Sequence, residues 1–221
     1  MEAVLKVGGS LAEDPHSLTK LCQELTFLTK NHRIVVVPGG SEFADAVRKF
    51  DKTHGLSDVA AHKMAVLAMD QYGLFLSDIT PESYVFYALE ETSNPLNGKL
   101  PILLPSQLMF LEDPLENSWD VTSDTIAAYI AGKLNAQKLV LVTDVDGIFF
   151  EDPKKTLNTK PIEKLSAKEL QGWNKQTSVD KMLPRMLLEK KIDCYVVNGK
   201  YPERIRLILE NKKTICTQVL A

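Results

Sequence analysis

Two short apolar runs that each stop at a pair of glycines constrain this chain more than any other feature. The first is Ala3, Val4, Leu5, Lys6, Val7, broken by Gly8, Gly9 and Ser10; the second is Ile34 to Val37, broken by Pro38, Gly39, Gly40 and Ser41. An unbroken β-branched run marks a strand covered on both faces, as parallel sheets require. Between them, residues 15–30 carry Leu18, Leu21, Cys22, Leu25 and Leu28 at three- and four-residue steps, the pattern of an amphipathic helix. Asp14 supplies its N-cap and Pro15 its first position. The unit is therefore βαβ with a right-handed crossover. Both glycine turns then fall on one sheet edge, where open α/β sheets bind ligands. Glycines let successive N–H groups converge on an anion, and Lys6 adds a positive charge, so the first turn has the size and polarity for a phosphate. On the first ten residues alone a tight strand-to-helix turn with an incidental lysine is the better explanation, but it does not predict the repetition of the turn.

At 221 residues the chain is expected to form one domain with a large core. Its 26 basic and 29 acidic residues give a formal charge of −3, which offers no general affinity for nucleic acid or an anionic membrane. No stretch approaches the ~20 apolar residues of a membrane span. No leader-like segment opens the sequence. Cys22, Cys194 and Cys216 are widely spaced and lie in apolar surroundings that suit reduced thiols, so a cytoplasmic setting is expected.

Further along, residues 42–50 read as a helix. Ser57 caps another that runs to about residue 76, with Ala60, Met64, Leu67 and Leu74 as its expected core stripe. His62 and Lys63 lie off that stripe, either on a solvated face or towards an acceptor phosphate. Tyr84, Phe86 and Tyr87 fit a short helix or a strand; residues 94–98 read as loop, and 102–104 as a buried strand. Residues 111–120 are turn-rich and are taken as the crossing between two lobes. Thr122 or Ser123 caps a helix reaching about Leu134, with Asp124 in its first turn, where a simple dipole partner is the plain alternative. A strand over 138–143 ends in the acidic turn of Asp144, Asp146 and Gly147. Ser166 caps a short helix, and 179–191 reads as a helix kinked or broken by Pro184. A strand over 194–197, a helix from Pro202 and a strand over 215–219 complete an α/β architecture.

In this order the lysine-glycine turn K-V-G-G-S (6–10), P-G-G (38–40), T-S-D-T-I-A-A (122–128) and T-D-V-D-G-I-F (143–149) resemble the amino acid kinase superfamily, which includes acetylglutamate, aspartate, uridylate and isopentenyl phosphate kinases. Five further strings, G-G-S-E-F-A (39–44), V-R-K (47–49), H-K-M-A (62–65), N-S-W (117–119) and V-V-N-G-K-Y-P-E-R (196–204), are similar to a branch of that family, the furan-amine phosphate kinases of methanofuran-type cofactor biosynthesis.

The resemblance implies a three-layer αβα sandwich with a mainly parallel central sheet, in which residues 1–110 form an acceptor lobe and 111–221 a nucleotide lobe. It implies ATP-dependent conversion of a phosphate monoester to a diphosphate. The partners are then ATP, Mg²⁺ held largely by ATP oxygens and water, a small-molecule phosphate acceptor and a second copy of the chain in a homo-oligomer. Lys6 would bind the transferring phosphoryl oxygens, oriented by Asp124. The N–H groups of Gly8, Gly9 and Ser10 would hold the donor phosphates, and Gly39, Gly40 and Ser41 would receive the acceptor. Thr143, Asp144, Asp146, Gly147 and Phe149 would line the nucleotide site, with Asp152 and Lys155 on its rim. Arg48 is the candidate cation for the acceptor phosphate, with a surface salt bridge as the plain alternative. Glu42 or Asp45 is a candidate for a substrate ammonium.

Two positions depart from the family pattern. Where acetylglutamate-type members carry a second, late lysine, the matching position is Arg185. Ser41 stands where a third glycine is usual, and its hydroxyl could reach the acceptor. The rivals are an isopentenyl phosphate or UMP kinase, separated by an acceptor assay, and a nucleotide-binding regulator without turnover. For the regulator, the pairing of Lys6 with Asp124 would have no purpose.

Overall fold

A computed structural model describes residues 1–93, 98–151, 156, 159–173 and 177–221. Its strands and helices, in chain order, are β1 (Ala3–Val7), α1 (Pro15–Leu28), β2 (Ile34–Pro38), α2 (Ser41–His54), α3 (Asp58–Ile79), β3 (Ser83–Phe86), β4 (Leu100–Leu103), α4 (Ser106–Glu112), α5 (Ser123–Lys133), β5 (Lys138–Thr143), β6 (Lys164–Ser166), α6 (Ala167–Gln171), α7 (Leu183–Lys190), β7 (Cys194–Asn198), α8 (Glu203–Leu209) and β8 (Thr217–Leu220).

The strands form one eight-stranded sheet in the order β3-β4-β2-β1-β5-β7-β8-β6, parallel except for the β7–β8 pair. β1 sits at its centre, with Lys6 opposite Val37 on β2 and Leu141 on β5. Alternate side chains of these strands feed two cores. Val4, Val35 and Leu141 pack beneath α5 and α7, while Leu5, Val36 and Val140 pack beneath α1 and α8. The three-layer αβα sandwich with a mainly parallel sheet is thus the observed architecture.

Local signals act where the sequence places them. Asp14 caps α1 by accepting the Ser17 N–H at 3.1 Å, Ser57 caps α3 through Ala60, and Ser166 forms a reciprocal capping box with Glu169.

Residues 83–86 are a strand, one of the two alternatives open for Tyr84 and Phe86. Two expectations change. Pro184 lies in the first turn of α7, where a missing N–H costs nothing, so it opens that helix and residues 179–182 stay outside. Most telling, the stripe assigned to the core of α3 faces outward. Met64, Leu67 and Leu74 are 37%, 45% and 50% exposed, and the buried face is Ala61, Val66, Ala68, Met69, Tyr72 and Leu76. α4 and β6 were not anticipated, and the loop expected over 94–97 lies outside the described residues.

Candidate active site

The two glycine turns touch. A Cβ on Gly9 would lie 2.3 Å from both Cα and N of Ser41, and one on Gly39 would lie 2.9 Å from the Gly9 nitrogen. Only residues without side chains allow this approach. Gly39 N–H donates to the Val7 carbonyl and Gly8 N–H to the Val142 carbonyl, each at 2.8 Å. The amides of Gly8 and Gly39 therefore extend the sheet ladders and do not point at an anion, which corrects the role expected for the Gly8 N–H. Gly8 contributes space instead: a Cβ there would lie 3.8 Å from the Lys6 ammonium and 2.9 Å from the Val142 oxygen. The buried Tyr72 hydroxyl donates to the Gly8 carbonyl at 3.3 Å and fixes this turn from below.

Ser41 has φ of +50°, a left-handed conformation that glycine adopts without cost and serine does not. Its hydroxyl lies 3.5 Å from the Gly9 carbonyl.

Lys6 Nζ pairs with Asp124 Oδ1 at 2.7 Å, and both side chains are largely buried. The second oxygen of Asp124 accepts the backbone N–H of Asp180 at 3.1 Å. Sequence reasoning missed Asp180. Its carboxylate accepts from Thr122 and Thr125, through N–H and hydroxyl of each, and from the Leu183 N–H. One side chain thus fastens the starts of α5 and α7 around Asp124. Burial lifts the Asp180 carboxyl above its ordinary range and the neighbouring Asp124 charge pushes the same way, while the Thr125 and Thr122 donors pull it down. Beneath the pair, burial pushes the Cys194 thiol well up, so it is an inert part of the core.

The acidic turn after β5 is tied to both neighbours. Asp144 accepts from Ser10 and Thr143 hydroxyls, each at 3.2 Å. Asp146 accepts from Asn198 Nδ2 at 3.1 Å and Arg204 Nη1 at 2.5 Å. Gly147 has φ of +155°, and a Cβ there would lie 2.4 Å from the Thr217 hydroxyl. Phe149 is half-buried beyond this turn, whereas Asp152 and Lys155 lie outside the described residues.

Beside the glycine turns lies a chamber of about 270 Å³. Its apolar side is Ala65, Val66, Met69, Trp119, Val121 and Ile126, and Gly9, Gly40 and Ser41 border its inner end. Glu13, Glu42 and Asp45 bring carboxylates to it, and Arg48 a guanidinium. Arg48 pairs with Asp45 at 3.0 Å while half-exposed, the surface salt bridge of the plain alternative, and its guanidinium also lies 4.8 Å from the centroid of the Trp119 ring. His62 lines the chamber too. Burial lowers its pKa, with Asp113 drawing it back, which favours the neutral ring near neutral pH. A wider cleft of about 830 Å³ adjoins, bordered by Asp124, Asp180, Lys181 and Trp173. Arg185 lines a separate recess with Glu116 and Glu189, while Lys181, which borders the wider cleft, is exposed and pairs with Asp120 at 2.8 Å.

The amino acid kinase family matches residues 1–198 of this chain. The [5-(aminomethyl)furan-3-yl]methyl phosphate kinase of Methanocaldococcus jannaschii is 36% identical over 220 residues, covering 98% of this chain and 97% of that protein. The uridylate kinase of Pyrococcus abyssi is 26% identical, covering 96% of each. Among solved structures, uridylate kinase from Archaeoglobus fulgidus superposes with a TM-score of 0.76 at 19% identity, covering 99% of this chain and all of that one. UMP kinase from Ureaplasma parvum gives 0.75 at 17%, covering 100% and 99%.

Proposed function

Because the chain belongs to the amino acid kinase family and is a small-molecule phosphotransferase, we propose that it uses ATP to convert a phosphate monoester to a diphosphate, with a furan-amine phosphate of methanofuran-type cofactor biosynthesis as its acceptor. The observation that carries this reading is the contact between two glycine turns beside a buried Lys6–Asp124 pair. Phosphoryl transfer asks little covalent chemistry of a protein; it asks for in-line placement and neutralised charge. Turns in contact set two phosphates end to end, and Lys6 meets the oxygens of the group in flight.

Asp124 keeps the ammonium of Lys6 aimed, and Asp180 keeps Asp124 from rotating. Gly9 and Ser10 face the donor, Gly40 and Ser41 the acceptor. Gly8 and Gly39 hold the turns in place. Thr143, Asp144, Asp146, Gly147 and Phe149 serve the nucleotide, with Asp152 and Lys155 on its rim. The Lys6 ammonium and the glycine turn beside it suit the phosphates of a nucleoside triphosphate; bound ATP would supply the phosphoryl group, and Mg²⁺ would offset its charge. Residues 1–110 act as the acceptor lobe and 111–221 as the nucleotide lobe, although Trp119, Val121 and Ile126 reach across to wall the acceptor chamber.

The chamber's chemistry supports an amine-bearing ring. Its side is apolar, and its carboxylates suit an ammonium group. Glu42 or Asp45 is the proposed carboxylate for the ammonium, and Arg48, half-exposed beside Asp45, the proposed cation for the acceptor phosphate.

A second copy of the chain is the proposed partner. The exposed positions of α3 include Met64, Leu67, Gln71 and Leu74, with Ala60 before them, at alternating four- and three-residue steps. That spacing is a helix-pairing seam. Lys63 near one end and Asp78 near the other would meet in an antiparallel pair. Among the described residues no helix is long and apolar enough to cross a membrane, and a cytoplasmic location is proposed with the rest.

The test is turnover with ATP and Mg²⁺ on a panel of phosphomonoesters. Preference for the furan-amine phosphate is expected; preference for UMP or isopentenyl phosphate would overturn the substrate, and no turnover on any would overturn the kinase reading in favour of a nucleotide-binding regulator.

A further inference from the structure

Trp119 stands between the acceptor chamber and the wider cleft and borders both. It comes from the irregular segment between α4 and α5, where nothing in the local backbone fixes an indole ring. Two side chains of α2 do so instead. Asp51 Oδ2 accepts the indole Nε1–H at 2.7 Å, and the Arg48 guanidinium, one turn earlier, lies 4.8 Å from the ring centroid. An indole has a single donor, and an anionic acceptor gives the stronger bond, so this contact sets the direction of the ring. Asp51 is itself held, because its Oδ1 accepts the Leu56 N–H at 3.1 Å, just past the Gly55 cap of α2.

We propose that Asp51 is a positioning residue for acceptor selectivity: by holding the Trp119 indole upright as the partition between chamber and cleft, it sizes the chamber for a small flat ring bearing a phosphate. Asp51 does not line the chamber and acts only through Trp119. The effect belongs to acceptor binding, since Lys6, Asp124 and the glycine turns are held by other bonds. The inference rests on the reading of the chamber as the acceptor site.

The experiment is steady-state kinetics of the full chain with ATP and two acceptors, the furan-amine phosphate and UMP, for Asp51→Ala, Asp51→Asn, Trp119→Phe and the double variant Asp51→Ala/Trp119→Phe. Loss of a charge-assisted bond predicts that Asp51→Ala raises KM for the furan-amine phosphate about tenfold, with kcat and KM for ATP within about twofold of wild type. Asp51→Asn keeps an acceptor oxygen and should recover most of that loss. Trp119→Phe keeps a ring but no donor, so the double variant should be no worse than Trp119→Phe alone. Selectivity over UMP should fall in step.

Losses that add in the double variant, an unchanged acceptor KM in Asp51→Ala, or equal rises in both KM values would overturn the inference. A second readout does not depend on how Asp51→Ala folds. Trp173→Phe leaves Trp119 as the one tryptophan of the sequence, and titration with the furan-amine phosphate in the absence of ATP should give a saturable change in its fluorescence; a flat titration overturns the inference. If the wild-type enzyme turns over neither acceptor, the reading of the chamber fails and the inference falls with it, whereas turnover with the wrong variant pattern removes the inference alone.

Discussion

Gly9 and Ser41 are in backbone contact, so close that a methyl group on Gly9 would lie 2.3 Å from the Ser41 Cα. Neither neighbour of that methyl is a flexible side-chain tip, and the turns themselves would have to separate. Gly9→Ala should therefore cost about 1–3 kcal/mol of stability, the range for an overpacked site. It should also lower kcat/KM by more than the thermal shift accounts for, because the two phosphates would be pushed out of line. Thermal melts and kinetics on the same preparation separate the two effects.

Ser41 makes the converse case. With φ at +50° its backbone is in a region that costs a side chain about 1–2 kcal/mol. Ser41→Gly should raise Tm, while Ser41→Ala keeps the backbone cost and loses only the hydroxyl. If the hydroxyl serves the acceptor, both variants raise the acceptor KM; if only the alanine variant does, the hydroxyl has no such role.

Removing the Lys6 charge should act on the chemical step. Lys6→Met is expected to lower kcat by about 10²–10³-fold with much smaller changes in KM, as for other groups that stabilise developing charge. Asp124→Asn leaves the Lys6 amine without its anionic partner and should follow the same pattern more weakly. A Lys6→Met enzyme with full kcat would exclude the assigned role.

The outward stripe of α3 predicts a change of mass. Leu67→Glu together with Leu74→Glu places like charges on the seam of a self-paired helix. Sedimentation should show a shift to the protomer for the variant and a larger species for the wild type. Neither side chain packs in the core, at 45% and 50% exposure, so Tm measured at low concentration should move little.

One pH effect follows from the cap of α1. The Ser17 hydroxyl and N–H hold the Asp14 carboxyl below the ordinary carboxylate range. For an acid whose folded pKa is depressed, the stabilisation is present above the unfolded value and disappears as pH falls through the folded one. Asp14→Ala should lower Tm near neutral pH, and the gap to wild type should close in acid. A gap that persists at low pH would mean that packing, not the capping carboxylate, carries the effect.

Much of this was legible in the sequence because parallel strands and caps are local signals. The runs ending at Gly8 and Gly39, the cap at Asp14 and the first-turn position of Asp124 all sit where spacing puts them. The failures have physical causes. α3 is apolar on two faces, so periodicity identifies a helix there without saying which stripe faces in. Pro184 is tolerated at a helix start, and its presence alone does not tell opening from kinking. Asp180 stands outside any regular element, and its importance comes from donors on Thr122 and Thr125, far away in the chain. Arg185 is the nearest match to the late lysine that the family resemblance implies, yet it lines another recess. The Trp119 string was visible, but its partner on α2 was not.

The central place of β1 also sets an order of events during synthesis. Its neighbour β2 leaves the ribosome soon after it, but β5 and Asp124 emerge only after more than half the protein has been made. Until then Lys6 has no counter-charge, and one side of the first strand has no ladder. Long-range pairings of this kind close late. A polypeptide that ends before α5 leaves the Lys6 ammonium without the carboxylate that pairs with it, so the pair at the head of β1 is completed only when the second half of the chain has joined the sheet.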